Sequence, residues 1–391
     1  MGMFEPERRD ARGRAKIGKL AGDAIDRQAP AEFRLLIACC RWPLLPAQVA
    51  SLASAASIDW PLFVRMAQRH RVEALARRAL EKAAVEIPSE AAEPLDTASS
   101  RIAAENLIIA AETARLVAAL TEADIPFLFV KGLSLGALAY GTILVKAGWD
   151  IDLLVAPEAL EPAADLLQRL GYHLAVPPGD AAPARLHAWH ARSKESVWRN
   201  PGRRATVELH TALTDQAALL PTLDVDAPRQ MVAITPTLAV PTLARDELFA
   251  YLTVHGASSA WFRLKWLADV AALLAGEDEA EVERLYRRAR TLGAGRAAAV
   301  ALLLCRDLFG TCAGPRLIAE LRTDRVNRWM ARGAWQSLAG RSIATEVTRL
   351  RGGTLWIHLL QFGLVPGLRY KLGELRRQLR TLRPFPEPPR A

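Results

Sequence analysis

The sequence predicts an α+β protein: a small mixed β-sheet core flanked by N-terminal helices and a C-terminal helical domain. Three observations carry this. Alanine, leucine and arginine dominate the 391 residues, which favours helix over most of the length. Short, continuous apolar runs bounded by turn residues cluster between residues 125 and 210, as expected of buried strands. On either side of that stretch the apolar residues recur every three or four positions, the helical period. The length exceeds what one hydrophobic core usually supports, so two or three domains are expected. The balance of 51% hydrophobic and 24% charged residues is that of a globular chain, which excludes a wholly disordered one.

Taken in order, residues 1–30 are polar and basic and are expected to form a flexible N-terminus. The N-terminal helical segment, 31–97, shows helical spacing at Leu35, Leu36 and Cys39 and again at Leu62, Met66, Val72 and Leu75, enough for three or four helices. Asp59 before Trp60-Pro61 is a helix start, with proline in the first turn. EIPSEAAEPLDTA (85–97) reads as a polar, proline-containing connection, and a long amphipathic helix follows from about Ser99 to Ala123. The core region is 98–215. IPFLFV (125–130) is a buried strand ending in a turn at Lys131-Gly132, and LSLGALAY (133–140) is a short helix. DIDLLV (150–155) is a second strand, and PEALEPAADLLQRLG is a helix opened by Pro157 and closed by Gly171. YHLAV (172–176) is a third strand, and RSKESVWRN and RRATVELH form a hairpin around Pro201-Gly202. After Pro241 the chain returns to helix through DELFAYLTVHGASSAWFRLKWLADVAALLAG, EAEVERLYRRARTLG and AGRAAAVALLLCRDLFG, which places the helical domain at 235–380. A Pro-rich tail, 381–391, ends it.

The net charge of +9 sits mainly at the ends. Residues 1–20 hold six basic and three acidic residues, and 371–391 hold six and two, together seven of the nine excess charges. Solvated tails are the expectation, with weak contact to nucleic acid or an anionic membrane surface as the alternative. The segment 355–380 is apolar and then basic, suited to packing on the domain or to docking at a membrane surface. Cys39, Cys40, Cys305 and Cys312 lie in apolar helical stretches without disulfide or zinc spacing, so buried free thiols are expected. The N-terminus lacks the apolar region of a secretory signal, and no run approaches the ~18–20 apolar residues of a membrane span. The expected location is cytoplasmic.

The chemistry is expected at Asp150, Asp152 and Glu208. Alternate residues of a strand share a face, so Asp150 and Asp152 project one way while Ile151 points into the core. Leu153-Leu154-Val155 reads as a strand buried on both faces, where unpaired carboxylates would be costly. Glu208 in VELH supplies a third acid if its strand lies beside the first. Carboxylates arranged this way suit Mg²⁺ or Mn²⁺, and such ions polarise the α-phosphate of a nucleoside triphosphate. Upstream, Gly132 lets the backbone approach a phosphate, with the following helix amides and the Ser134 hydroxyl to hold its oxygens. Lys131 and Lys146 are candidate point cations for the same phosphates.

FVKGLSLGALAY, GWDIDLLV, LGYHLA and VELHTAL together resemble the bacterial uncharacterised nucleotidyltransferase family, within the polymerase-β-like superfamily. The resemblance continues through YLTVHGASSAWFRLKWLADVAALL and spans about residues 30–310. It implies a nucleotidyltransferase core at 98–215 and transfer of a nucleoside monophosphate from an NTP to an acceptor hydroxyl or phosphate on a small molecule, peptide or protein. Members occur with biosynthetic clusters for lasso peptides and exported polysaccharides. Leu133 stands where the superfamily has a small residue after the glycine, and Lys146 stands near a position where members carry arginine.

Other residues carry more than one reading. His210 either orients a neighbour or contacts base or sugar. His255 and Lys265 are candidates to line the nucleotide or acceptor cleft, whereas Arg263 and Asp269 suit inter-helix ion pairs. Trp261 and Trp266 suit a core. His187 and His190 form an HxxH with too few partners for zinc. Two rival functions stand beside the enzyme: a noncatalytic nucleotide- or partner-binding module of the same fold, and an enzyme directed at RNA or DNA through the basic ends.

Overall fold

The computed structural model describes residues 29–310, 313–339, 353–381 and 385. Most of the basic N-terminus, Cys312 and nearly all of the Pro-rich tail lie outside these residues.

Four short helices open the described chain: α1 (Ala31–Cys40), α2 (Pro46–Ala55), α3 (Trp60–His70) and α4 (Glu73–Lys82). Asp59 caps α3 by accepting a hydrogen bond from the Leu62 amide at 2.8 Å, one of the orphan donors at a helix start. The expected connection at 85–97 is largely helix instead. α5 runs from Ser89 to Glu122, with Pro94 inside it. Proline there removes the bond to the carbonyl four residues back and crowds that carbonyl, and buried Ala91 and Leu95 on either side supply packing that outweighs both.

The sheet unit follows. β1 (Phe127–Phe129) leads into helix α6 (Leu133–Tyr140), then β2 (Ile151–Val155), α7 (Leu160–Arg169), β3 (His173–Val176), β4 (Glu195–Asn200) and β5 (Ala205–His210). The spatial order is β1-β2-β5-β4-β3. β2 and β5 are parallel; every other pair is antiparallel. One face is apolar: Ile151, Leu153 and Val155 from β2, Val207 and Leu209 from β5 and Trp198 from β4 pack with Ile109, Leu116 and Leu120 of α5 and with Leu160, Ala163 and Leu167 of α7. On the other face Leu128, Val130 and Leu154 join a larger core made with the helices before and after the sheet.

One helix and two strands were not expected. Helix α8 (Pro183–His190) precedes β4, and an antiparallel ribbon of β6 (Arg229–Thr235) and β7 (Leu238–Leu243) forms a second sheet beside β1 and α6. Pro241, read as the point where helix resumes, lies within β7 opposite Met231, on a ribbon whose free edge tolerates the missing amide.

The C-terminal helices are α9 (Arg245–Ser258), α10 (Leu264–Leu273), α11 (Glu279–Thr291), α12 (Gly295–Phe309), α13 (Pro315–Thr323), α14 (Arg325–Ala339), α15 (Gly353–Gln361) and α16 (Leu368–Thr381). α9 and α10 interrupt what reads as one run. Ala260 and Trp261 adopt left-handed backbone, at φ of 52° and 54°, which ends α9 and folds the buried Trp261 ring back over Gly256. Cys39, Cys40 and Cys305 are buried free thiols. Among the described residues no helix is long and apolar enough to cross a membrane.

Candidate active site

The parallel pairing of β2 and β5 sets Asp152 opposite Glu208 and Leu154 opposite His210. The antiparallel pairing of β4 sets Glu195 opposite His210 and Val197 opposite Glu208. Residues opposite one another share a face, so Asp152, Glu208, His210 and Glu195 stand on the side away from the α5 and α7 packing. The alternation in Asp-Ile-Asp-Leu and Val-Glu-Leu-His produces this separation directly.

Asp152, Glu208 and His210 each offer a ligand atom within 4.8 Å of the others, and among the described residues they form the one such group. His210 Nε2 lies 3.2 Å from Asp152 Oδ1 and 3.7 Å from Glu208 Oε2, and its Nδ1 lies 3.3 Å from Glu195 Oε2. Lys131, from the turn after β1, places Nζ 2.5 Å from Asp152 Oδ1 and 3.7 Å from Glu208 Oε2. Lys194 pairs with Glu195.

Burial and neighbouring charge compete at each of these groups. Burial pushes the Asp152 carboxyl up, but Lys131 and His210 outweigh it and keep the group far below the usual carboxylate range. Burial likewise opposes the Lys131 ammonium, and Asp152, Tyr251, Asp150 and Glu208 hold its proton well above the ordinary value. For His210, burial and Lys194 favour the neutral ring, yet Asp152, Glu208 and Glu195 carry it above its usual value. Burial, with the nearby Asp152 and Asp150, raises Glu208 despite its contacts with His210 and Lys131. Burial also opposes the charge on Glu195, but Lys194, His210 and Lys131 hold it down.

A divalent cation fits this donor set. Asp152 Oδ2 is buried without a hydrogen-bond partner among the described residues, and a buried carboxylate oxygen in that state carries an uncompensated desolvation cost. The two carboxylates supply oxygen ligands of the type such ions take, and the His210 ring bonded to Asp152 orients one of them.

The other expected residues are distributed around this cluster. Asp150 precedes β2 and acts electrostatically on Lys131 and Glu208, but lies outside the close group of three. Gly132 caps α6 at φ 71° and ψ −124°, a conformation that L side chains rarely adopt. Ser134 is buried at the start of α6, its hydroxyl donating to the carbonyls of Lys131 (3.1 Å) and Phe129 (3.4 Å). Lys146 Nζ pairs with Asp269 Oδ2 at 3.2 Å, and Asp269 Oδ1 accepts from Tyr140 at 2.9 Å. Lys265 lies nearby, where burial, Lys146 and Arg71 push its pKa down to about 7. His255 is kept neutral by burial and by Lys131 and Lys194, and packs between Tyr251 and Trp266. His187 and His190 point to separate partners: His187 Nε2 lies 2.8 Å from Glu161, and His190 meets Thr211 and Ser196 at 2.8 and 3.0 Å.

Three neighbours were missed from the sequence. Glu195 and Lys194 reach the cluster through the β4–β5 register, which the local pattern ESVW does not reveal. Tyr251 comes from α9. Its hydroxyl is buried without a hydrogen-bond partner, and burial with the nearby Asp152, Glu195 and Glu208 raises its pKa although Lys131 opposes them.

The model of the family described as uncharacterised nucleotidyltransferase matches residues 56–310, which include every residue of the cluster. No curated protein matches the chain.

Proposed function

The chain belongs to the uncharacterised nucleotidyltransferase family, and we propose on that premise that it moves a nucleoside monophosphate from an NTP to an acceptor hydroxyl or phosphate, releasing pyrophosphate. The observation that carries this is the convergence of Asp152, Glu208 and His210 beside the Lys131-Gly132 turn. Asp150, Asp152 and Glu208 are the residues assigned to hold Mg²⁺ or Mn²⁺. When bound, such ions polarise the α-phosphate, lower the pKa of the attacking hydroxyl and offset charge on the leaving pyrophosphate.

The chain's own groups supply the rest of this reading. His210 holds one oxygen of Asp152 in place, as outer partners of metal ligands do. The Gly132 turn and the first amides of α6 form the phosphate cradle. Lys131 and Lys146 are the cations assigned to the phosphates, and Lys265, its pKa pushed down to about 7, lines the cleft beside them. His255, neutral and buried, lines the cleft. The acceptor is a small molecule, peptide or protein from a natural-product or polysaccharide pathway, as the family resemblance implies. The three buried free thiols support a reducing compartment, the cytoplasm.

The test follows labelled NTPs with Mg²⁺ in a native lysate and reads both label transfer and pyrophosphate release. We expect release to fall about 1,000-fold in Asp152→Asn. Tight NTP binding without pyrophosphate release, unaffected by Asp152→Asn, would replace the enzyme with a noncatalytic binding module.

A further inference from the structure

We propose that the basic cavity beside β4 anchors a phosphorylated small-molecule acceptor. The inference rests on the nucleotidyl-transfer reading and names the substrate class for it.

The cavity measures about 530 Å³, within the range of small-molecule sites. Its wall holds five cations, Arg192, Lys194, Arg376, Arg377 and Arg380, against one carboxylate, Asp215. Asp215 already accepts a hydrogen bond from the Lys194 amide at 2.9 Å, the Lys194 ammonium is paired with Glu195, and Arg377 is committed to Glu374 at 2.5 Å. Arg376 and Arg380 are exposed on α16, and neither has a carboxylate partner among the described residues. Like charges gathered in a concave space repel one another, and a bound anion removes that cost. Guanidinium groups suit phosphate, which they grip through paired N–H donors. A concave site of this volume fits a small phosphorylated compound better than a nucleic acid duplex.

The position completes the argument. The Lys131-Gly132 turn lies at the β1 side of Asp152 and Glu208, whereas Lys194 lies at the β4 side. The carboxylates therefore stand between two phosphate-binding environments. A smaller cavity of about 70 Å³ shares Lys194, Asp215 and Arg377 with the large one and continues inward to His255. From the cavity wall, Lys194 leads to Glu195, then to His210 at 3.3 Å and on to Asp152 at 3.2 Å. An acceptor held by its phosphate in the arginine cavity directs a second oxygen toward the α-phosphate. That oxygen forms a bond to phosphorus as the bond to pyrophosphate breaks, and a hydroxyl acceptor gives its proton to water.

Isothermal titration of the full chain tests this with glycerol 3-phosphate, inorganic phosphate and glycerol as probes, alongside ATP with Mg²⁺. In the wild type both phosphate probes bind and glycerol does not. In the double variant Arg376→Gln, Arg380→Gln both lose at least about tenfold in affinity, while ATP affinity stays within about twofold. Both side chains are exposed, so the fold is retained, which the thermal midpoint checks. Any of three results overturns the proposal. The phosphate probes bind neither protein, or bind both alike; ATP affinity falls in parallel; or a single-stranded oligonucleotide binds more tightly than the probes and is lost with the same substitutions. Binding of ATP with Mg²⁺ but no pyrophosphate release would instead overturn the transfer reading and leave the phosphate titration interpretable.

Discussion

Lys131 and Lys265 are the same residue type tuned in opposite directions. Both resist charge through burial, but Lys131 faces Asp152 and Glu208, whereas Lys265 faces Lys146 and Arg71. The consequence for Lys265 follows from linkage. Its folded pKa of about 7 lies below its ordinary value of 10.5, so the unfolded chain binds that proton more tightly. The resulting loss of stability is complete below pH 7 and disappears as pH rises from there toward 10.5. Lys265→Met is therefore expected to melt above the wild type at pH 6, with the difference narrowing at pH 9 and beyond; a constant difference would contradict the depressed pKa. His210 acts on another property. Replacing it by alanine removes the partner of Asp152 Oδ1 and is expected to weaken Mn²⁺ binding about 10–100-fold, read by titration calorimetry or EPR.

At the scale of elements, the break between α9 and α10 determines where His255 and Lys265 stand. Trp261 is buried over Gly256, and a Cβ added there would meet the indole at 2.1 Å. Only glycine leaves that space. Gly256→Ala is expected to cost about 1–3 kcal/mol by overpacking, measured by urea unfolding, and to disturb the cleft along with stability. β2, α6, α7 and the β4–β5 hairpin were legible because their periodicity and turn residues are local. The β6–β7 ribbon was not, since prolines at 236 and 241 mask its alternation. Nor was the start of α5, where burial of Ala91 and Leu95 overrides Pro94.

At the scale of the molecule, the helices before and after the sheet share one core. Phe33 of α1 packs 6.0 Å from Trp335 of α14, His70 Nδ1 accepts from the Leu264 amide at 3.1 Å, and Arg69 donates to the Ser337 carbonyl at 2.6 Å. Residues 98–215 expressed alone would expose the sheet face bearing Leu128 and Leu154. That fragment is expected to lack a cooperative thermal transition by circular dichroism, while the whole chain unfolds in one step. The sequence by itself determined that Asp152 and Glu208 sit on strands facing away from their apolar neighbours, because an alternation of period two needs no knowledge of the partner strand. Only the tertiary structure decided that β2 and β5 pair in parallel with those acids level, that His210 and Glu195 join them, and that α16 closes a basic cavity at the β4 side. Strand register and helix docking depend on contacts between residues far apart in the chain, and no local pattern encodes them.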